Sequence, residues 1–211
     1  MDSKVLQNLS YGVYVVTSIH EDTPAGCIAN SLIQVSYDTI AVSINHSNLT
    51  NSSIHESKKF AVSILGIDSS NEIISNFGFH SGKNFDKFKN IKTKTINGLK
   101  IIEESIGYII CDVINELETE THTIFLGKII DGEMLHDDTP MTYAYYHAER
   151  KGTSPKNAPT YIEQTNEESY DGPAYKCTIC NYVYKGDLTK EPDTYLCPIC
   201  KQPKNKFIKI N

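Results

Sequence analysis

Four cysteines near the end of the chain are spaced to act together. They fall in two knuckles, Cys177-Thr-Ile-Cys180 and Cys197-Pro-Ile-Cys200, separated by the sixteen residues 181–196. Each pair straddles a tight turn, and two such turns facing each other bring four thiolates onto one tetrahedral ion. A single Cys-x-x-Cys is shared with redox dithiols, but two in so short a span point to a metal cage. Disulfides fit less well. The other two cysteines, Cys27 and Cys111, stand apart in apolar surroundings, as small packed residues do, and no secretory signal opens the chain. Spacing by itself reads as zinc, the commoner occupant of a four-cysteine ribbon and one that carries no electrons.

The flanks change the choice of metal. Tyr175 lies two residues before the first cysteine, Tyr182 and Tyr184 follow the second, and Pro198 sits inside the last knuckle. From Ala174 to about Lys201 this resembles the rubredoxin family, whose pattern is Tyr-x-Cys-x-x-Cys-Gly-Tyr-x-Tyr followed by Cys-Pro-x-Cys-Gly. The resemblance implies one iron held by Cys177, Cys180, Cys197 and Cys200, moving a single electron, with zinc the less favoured occupant. Asn181 and Lys201 stand where the pattern has glycine. Those positions usually need a positive φ, which Asn tolerates and Lys adopts at a cost. The insert between the knuckles is also shorter than in free-standing rubredoxins.

A metal module of about forty residues has little core of its own, so its ion must also hold its fold. It leaves roughly 170 of the 211 residues for a main domain. The division expected is 1–160 for that domain, 161–172 for an acidic linker and 173–211 for the module. Residues 171–211 carry seven Lys against four acidic residues, or +3. The remainder carries thirteen basic against twenty-two acidic residues, or −9. A net charge of −6 argues against nucleic acid as a partner. Lys201, Lys204, Lys206 and Lys209 form a rim that can steer the module towards an acidic surface. No run of eighteen apolar residues is present, so no membrane span is expected, and a start without a hydrophobic signal core suggests a cytoplasmic address.

The main domain reads as many short strands with few helices. Residues 11–18, 28–35, 39–44, 60–65, 106–117, 123–131 and 141–146 are dense in β-branched and aromatic types and are expected as strands. Helices are expected over 5–10, over 53–58 after a cap at Asn51 or Ser52, and over 70–77, where Ile73, Ile74 and Phe77 share a face. A Gly- and Lys-bearing loop fills 79–94. The sum argues for a mainly β chain with a closed or nearly closed barrel. Residues 150–161, with two prolines, read as a segment laid across it.

Nothing in the chain matches a P-loop, a Gly-x-Gly-x-x-Gly turn or a hydrolase triad. Small polar residues cluster instead at strand ends, in Gly26-Cys-Ile-Ala-Asn-Ser31 and Ser43-Ile-Asn-His-Ser-Asn-Leu-Thr50. Such clusters suit an anionic phosphate without a cation, although turn chemistry alone also produces them. In order along the chain, Gly12-Val-Tyr-Val-Val-Thr17, Gly26-x-x-Ala-Asn-Ser31, Gln34-Val-Ser36, Asn48-Leu-Thr50, Phe60-Ala-Val-Ser-Ile-Leu65 and Phe85-Asp-Lys-Phe88 resemble the flavin reductase family. That resemblance runs from about Val5 to Tyr161. It implies an FMN-binding split β-barrel, a homodimer, and flavin near the subunit interface. Ala29, Asn30 and Ser31 are then expected along the ribityl and phosphate, with Ser36 and Asn45 nearby and Asn48, Leu49 and Thr50 on the far side. Ser81, Gly82, Lys83 and Phe85 are expected to approach from the loop, with Lys83 or Lys87 neutralising phosphate. His122 occupies the family's Asp-His-x-x-x-x-Gly position, which tends to face the nicotinamide. Thr121 replaces the acid there, so the carboxylate that would orient the imidazole is missing. His80 lies beside the same loop.

The two resemblances together imply an oxidoreductase taking electrons from NAD(P)H through FMN to its own iron. They also imply a further acceptor such as a flavo-diiron O2 or NO reductase. Two alternatives stay open at this level: a pure carrier reduced by another protein, and a zinc-bearing docking module on a flavin-binding barrel.

Overall fold

The computed structural model describes residues 3–150, 158–160 and 172–211. It is mainly β, as expected. A 3-10 turn over Ser3–Asn8 leads into a seven-stranded antiparallel sheet built from β1 (Tyr14–His20), β2 (Thr23–Ala29), β3 (Leu32–Ser36), β4 (Thr39–Asn45), β5 (Lys59–Ile64), β8 (Gly107–Glu118) and β9 (His122–Met134). Between β5 and β8 comes the hairpin β6 (Thr93–Ile96) and β7 (Leu99–Ile102). Strand order in the large sheet is β2-β1-β5-β8-β9-β4-β3, so its two edges, β2 and β3, are consecutive in the chain. Only Asn30 and Ser31 separate them. The chain crosses from one edge to the other at that point, where the Ser43 amide donates to the Ser31 carbonyl at 3.0 Å. This crossing rolls the sheet into a barrel with one seam.

Alternation along the strands sorts the core. Val16 on β1, Ile40, Val42 and Ile44 on β4, Phe60 and Val62 on β5, Cys111 on β8 and Phe125 on β9 fill the barrel. Helix α1 (Leu49–Ser57) adds Ile54 to that interior. The opposite face of β1, through Val15 and with Val13 just before the strand, packs on α2 (Asn71–Phe79) and α3 (Tyr143–Ala148). Neighbouring side chains on one strand therefore serve two different layers, which is what a period of two permits.

Four local expectations are corrected. Residues 141–146 are not a strand. Thr142 caps α3, its hydroxyl accepting from the Tyr145 amide at 3.1 Å, and Tyr143 and Tyr146 then turn one helical face to the core. Helix α1 begins at Leu49 behind Asn48 rather than at 53, since the polar run 50–53 is itself largely buried in the helix. The single strand expected over 28–35 is broken at the crossing. The β6–β7 hairpin had no counterpart, although Asn97-Gly98, at φ 50° and 81°, is the two-residue turn such hairpins favour. The expected linker, 161–172, lies outside the described residues except for Gly172.

The C-terminal part forms a separate three-stranded sheet, β11 (Val183–Lys185), β10 (Ala174–Cys177) and β12 (Phe207–Lys209), in that order. Among the described residues no helix is long and apolar enough to cross a membrane.

Close approach fixes one glycine in the barrel. A Cβ at Gly127 on β9 would come within 2.7 Å of both Phe60 Cε1 and Cys111 Cβ, two fully buried groups with no room to retreat. Gly127→Ala is expected to cost about 1–3 kcal/mol by overpacking. The check is a lower denaturation midpoint at an unchanged denaturant slope.

Candidate functional site: a four-cysteine nest against a barrel cavity

The two knuckles are built alike. In the first, the Cys177 amide donates to the Tyr182 carbonyl (2.8 Å) and the Asn181 amide to the Cys177 carbonyl (3.0 Å). In the second, the Cys197 amide donates to the Gln202 carbonyl (2.8 Å) and the Lys201 amide to the Cys197 carbonyl (2.9 Å). Asn181 (φ 65°) and Lys201 (φ 56°) both take the left-handed conformation that closes each turn.

All four sulfurs lie within 4.8 Å of one another, with 3.6 Å between Cys177 and Cys200 and 3.5 Å between Cys180 and Cys197. A disulfide needs about 2.05 Å. A tetrahedron with metal–sulfur bonds of about 2.3 Å has edges of about 3.8 Å. The nest is therefore of cation size. Burial reinforces this, since none of the four residues exceeds 1% exposure. Hydrogen bonds from Cys180, Cys197 and Cys200 hold the Cys177 thiol far below the ordinary thiol range, while the bond to Cys177 pushes Cys180 up. One thiolate is stabilised by its neighbours and the next is opposed by it. A central cation removes that opposition and lets all four ionise. Tyr182 and Phe207, at ring centroids 6.5 Å apart, shield the nest on the module's own side.

The second element is a cavity of about 320 Å³ at the barrel seam. Its lining includes Ala29, Asn30, Asn45, Asn48, Leu49, Thr50, Ser81, Gly82, Lys87 and His122 from the residues expected above. The β2–β3 crossing brings Asn30 to one wall, and the first turn of α1 brings Asn48, Leu49 and Thr50 to another. Asn48 makes no side-chain cap on α1, so the first-turn amides are not capped by its amide oxygen.

Four expected residues lie outside this lining. Ser31 sits at the crossing, its hydroxyl 3.2 Å from Asn30 Oδ1. Ser36 stands at the far end of β3, exposed beside the turn into β4. Lys83 is on the outer side of the loop, its amide donating to Ser81 Oγ at 3.3 Å. Phe85 stacks on His80 instead, at 4.1 Å between centroids and 17° between planes.

Lys87 is not aimed outward as a simple phosphate counter-ion. The residue is 7% exposed, and its ammonium donates to the carbonyls of Gly26 (2.8 Å) and Phe77 (3.3 Å), tying the loop to β2 and α2. Burial lowers its pKa, and the same positive charge, after burial, lowers that of His80. His122 lines the cavity beside Thr121. The hydroxyl of Thr121, at the position where the family pattern has an acid, is 2.7 Å from His122 Nδ1. Cys27 and Cys111 are buried, and burial raises both thiols, Cys111 to about 12.

Sequence reasoning missed the wall contributed by α2 and α3, namely Ile74, Phe77, Phe79, Tyr143 and Tyr146. The helical spacing of Ile74 and Phe77 was visible but says only that one face is buried. Reading 141–146 as a strand hid the two tyrosines. It also missed that the cavity wall includes Ile179, from inside the first knuckle. Ala158 and Pro159 line the wall too, next to Thr160, whose hydroxyl accepts from Asn30 Nδ2 at 2.7 Å, so this described part of the segment expected across the barrel does lie against it. The nest and the cavity share a wall.

Comparison with known proteins agrees with both halves. Residues 6–154 match the family model of the flavin reductase like domain, and residues 175–208 match that of the rubrerythrin, rubredoxin-like domain. The high molecular weight rubredoxin of Moorella thermoacetica is 37% identical over 229 residues, spanning the whole of both chains. The ferric-chelate reductase (NAD(P)H) of Archaeoglobus fulgidus is 36% identical over 167 residues, 77% of this chain and 99% of its own. Among solved structures, flavin reductase PheA2 in its native state aligns with a TM-score of 0.57 at 28% identity, over 67% of this chain and 93% of its own. The chain therefore belongs to the flavin reductase-like family, in the form that carries a rubredoxin-like domain at its C-terminal end.

Proposed function

We propose that this chain is an electron-transfer oxidoreductase that takes electrons from NAD(P)H through FMN in the barrel cavity to iron held by Cys177, Cys180, Cys197 and Cys200. The observation that carries this reading is the shared wall: Ile179, one residue before a cysteine of the nest, lines the cavity itself. The names of the two full-barrel relatives, one a rubredoxin and one an NAD(P)H-dependent reductase, support it. The domain limits proposed are 1–160, 161–172 and 173–211.

The donor sets fit both groups. A cavity of about 320 Å³ with polar ends and apolar sides lies within the range of small-molecule sites, and four buried sulfurs at tetrahedral spacing fit one ion. When bound, FMN supplies two-electron acceptance with one-electron release, and iron in four thiolates supplies one-electron storage.

The chain's own residues do the positioning. Asn30 and Thr50 offer polar groups from two walls of the cavity, and the amides of Leu49 and Thr50 at the start of α1 suit a phosphate. Lys87 holds the loop against β2 and keeps a positive charge near that end. His122, oriented by Thr121, is the residue proposed to meet the nicotinamide. Phe77, Tyr143 and Tyr146 exclude water from the apolar side.

The assembly proposed is a homodimer acting in the cytoplasm. Its support is the edge strand β3, where Ile33 and Val35 are 63% and 53% exposed beside Tyr37 at 95%. Apolar side chains on an unpaired edge call for a cover. The partner proposed downstream is a redox protein such as a flavo-diiron O2 or NO reductase.

Three outcomes are expected. Anaerobic addition of NADH or NADPH to the purified protein bleaches the flavin band within seconds; a band that persists with both would leave a carrier without nicotinamide activity. Metal analysis gives one iron per chain, and Cys197→Ser abolishes the red absorption while the yellow flavin remains; one zinc per chain would instead favour a docking module. Placing lysines at Ile33 and Val35 halves the sedimenting mass, whereas a wild type already monomeric would remove the dimer.

A further inference from the structure

The contact between module and barrel has features of a built joint. Helix α2 supplies three consecutive kinds of contact along one face. Ser75, 2% exposed, donates its hydroxyl to the Cys200 carbonyl at 3.0 Å. Phe79 packs directly against the four cysteines. His80, at the end of the helix, faces the Gln202 side-chain amide with 3.5 Å between nitrogens. The buried hydroxyl at position 75 is informative. A serine with no tertiary partner in a helix normally bonds back to its own turn; here it reaches across 125 residues to a carbonyl of the second knuckle. In the same docked arrangement Ile179 of the first knuckle stands in the cavity wall.

We infer that the module docked on α2 is the pose in which electrons cross from the cavity to the nest of the same chain, with Ser75 as the residue that positions it and Ile179 as the side chain at the crossing. This rests on the functional reading above. Each NAD(P)H converted to NAD(P)+ and a proton then accounts for two electrons crossing singly, each reducing a ferric centre to ferrous. The centre must hand on the first before taking the second, because one chain holds one nest. Phe79, which packs on the nest and also lines the cavity, lies between the two sites, and Ser75 fixes their separation. A release of the joint leaves the module tethered but no longer aligned.

The test uses the full-length holoprotein carrying Ser75→Gln, which replaces the short hydroxyl by a longer amide at the joint without touching the cavity lining. Ile179→Asp, on the module side, serves as a second variant should the helix fail to tolerate glutamine. Two readouts are taken. Amide hydrogen exchange is followed over residues 71–79 and 177–181, and stopped-flow absorbance separates bleaching of flavin from reduction of iron. The expected result is faster exchange in both segments. With Ser75→Gln, flavin bleaching by NAD(P)H is unchanged and iron reduction is slower by about tenfold or more, because the tether alone maintains encounter without alignment. Faster exchange with an unchanged rate of iron reduction would overturn the inference, as would slow exchange retained in both variants. If the wild-type flavin is not bleached by NAD(P)H, the nicotinamide reading fails. Photoreduction of the flavin then starts the same measurement, and the joint is decided independently.

Discussion

Like charges in a small volume set the terms for this molecule. Four thiolates within 4.8 Å, withdrawn from water, cannot coexist without a cation among them. The module has little else to hold it: a three-stranded sheet of short strands, a few aromatic contacts, and turns in which Asn181 and Lys201 take left-handed backbone. Its fold and its ion are one equilibrium. The joint depends on that equilibrium, because the carbonyl that Ser75 reaches belongs to Cys200 of the nest.

The barrel solves a different constraint. Its sheet has two edges, and the chain joins them directly through Asn30 and Ser31. A crossing of two residues cannot pair regularly with either neighbour, so polar groups there must find other partners. One becomes the Ser31 carbonyl bonded to Ser43, and another the Asn30 amide bonded to Thr160. The cavity opens where regular pairing stops. Cavity-lining polar residues cluster at this seam for the same reason that the seam exists.

Legibility in the sequence divided along the range of the interactions. Strand tracts such as 60–65 and 106–117 were readable because β-branched density is local, and the nest was readable because its ligands come in two short spacings. The helical residues 143–148 were not. Their aromatic content resembles a strand, and only the Thr142 cap, a single hydroxyl, selects helix. The β6–β7 hairpin carried its signal openly in Asn97-Gly98. Lys87 was visible as a cation, but its direction depends on where the carbonyls of Gly26 and Phe77 fall, and these come from two different elements. The joint was illegible altogether. Nothing in the spelling of α2 marks Ser75 as facing a residue 125 positions away.

That joint has a consequence for how such chains diversify. The acceptor at Cys200 is a main-chain carbonyl, present whatever side chains surround the knuckle, so α2 reads the shape of a turn more than a sequence. Any small iron-sulfur cassette with the same loop geometry offers the same acceptor. The interface thus tolerates drift at exposed positions on the module's surface, such as Lys206 and Lys209, while the seating on the barrel stays as it is.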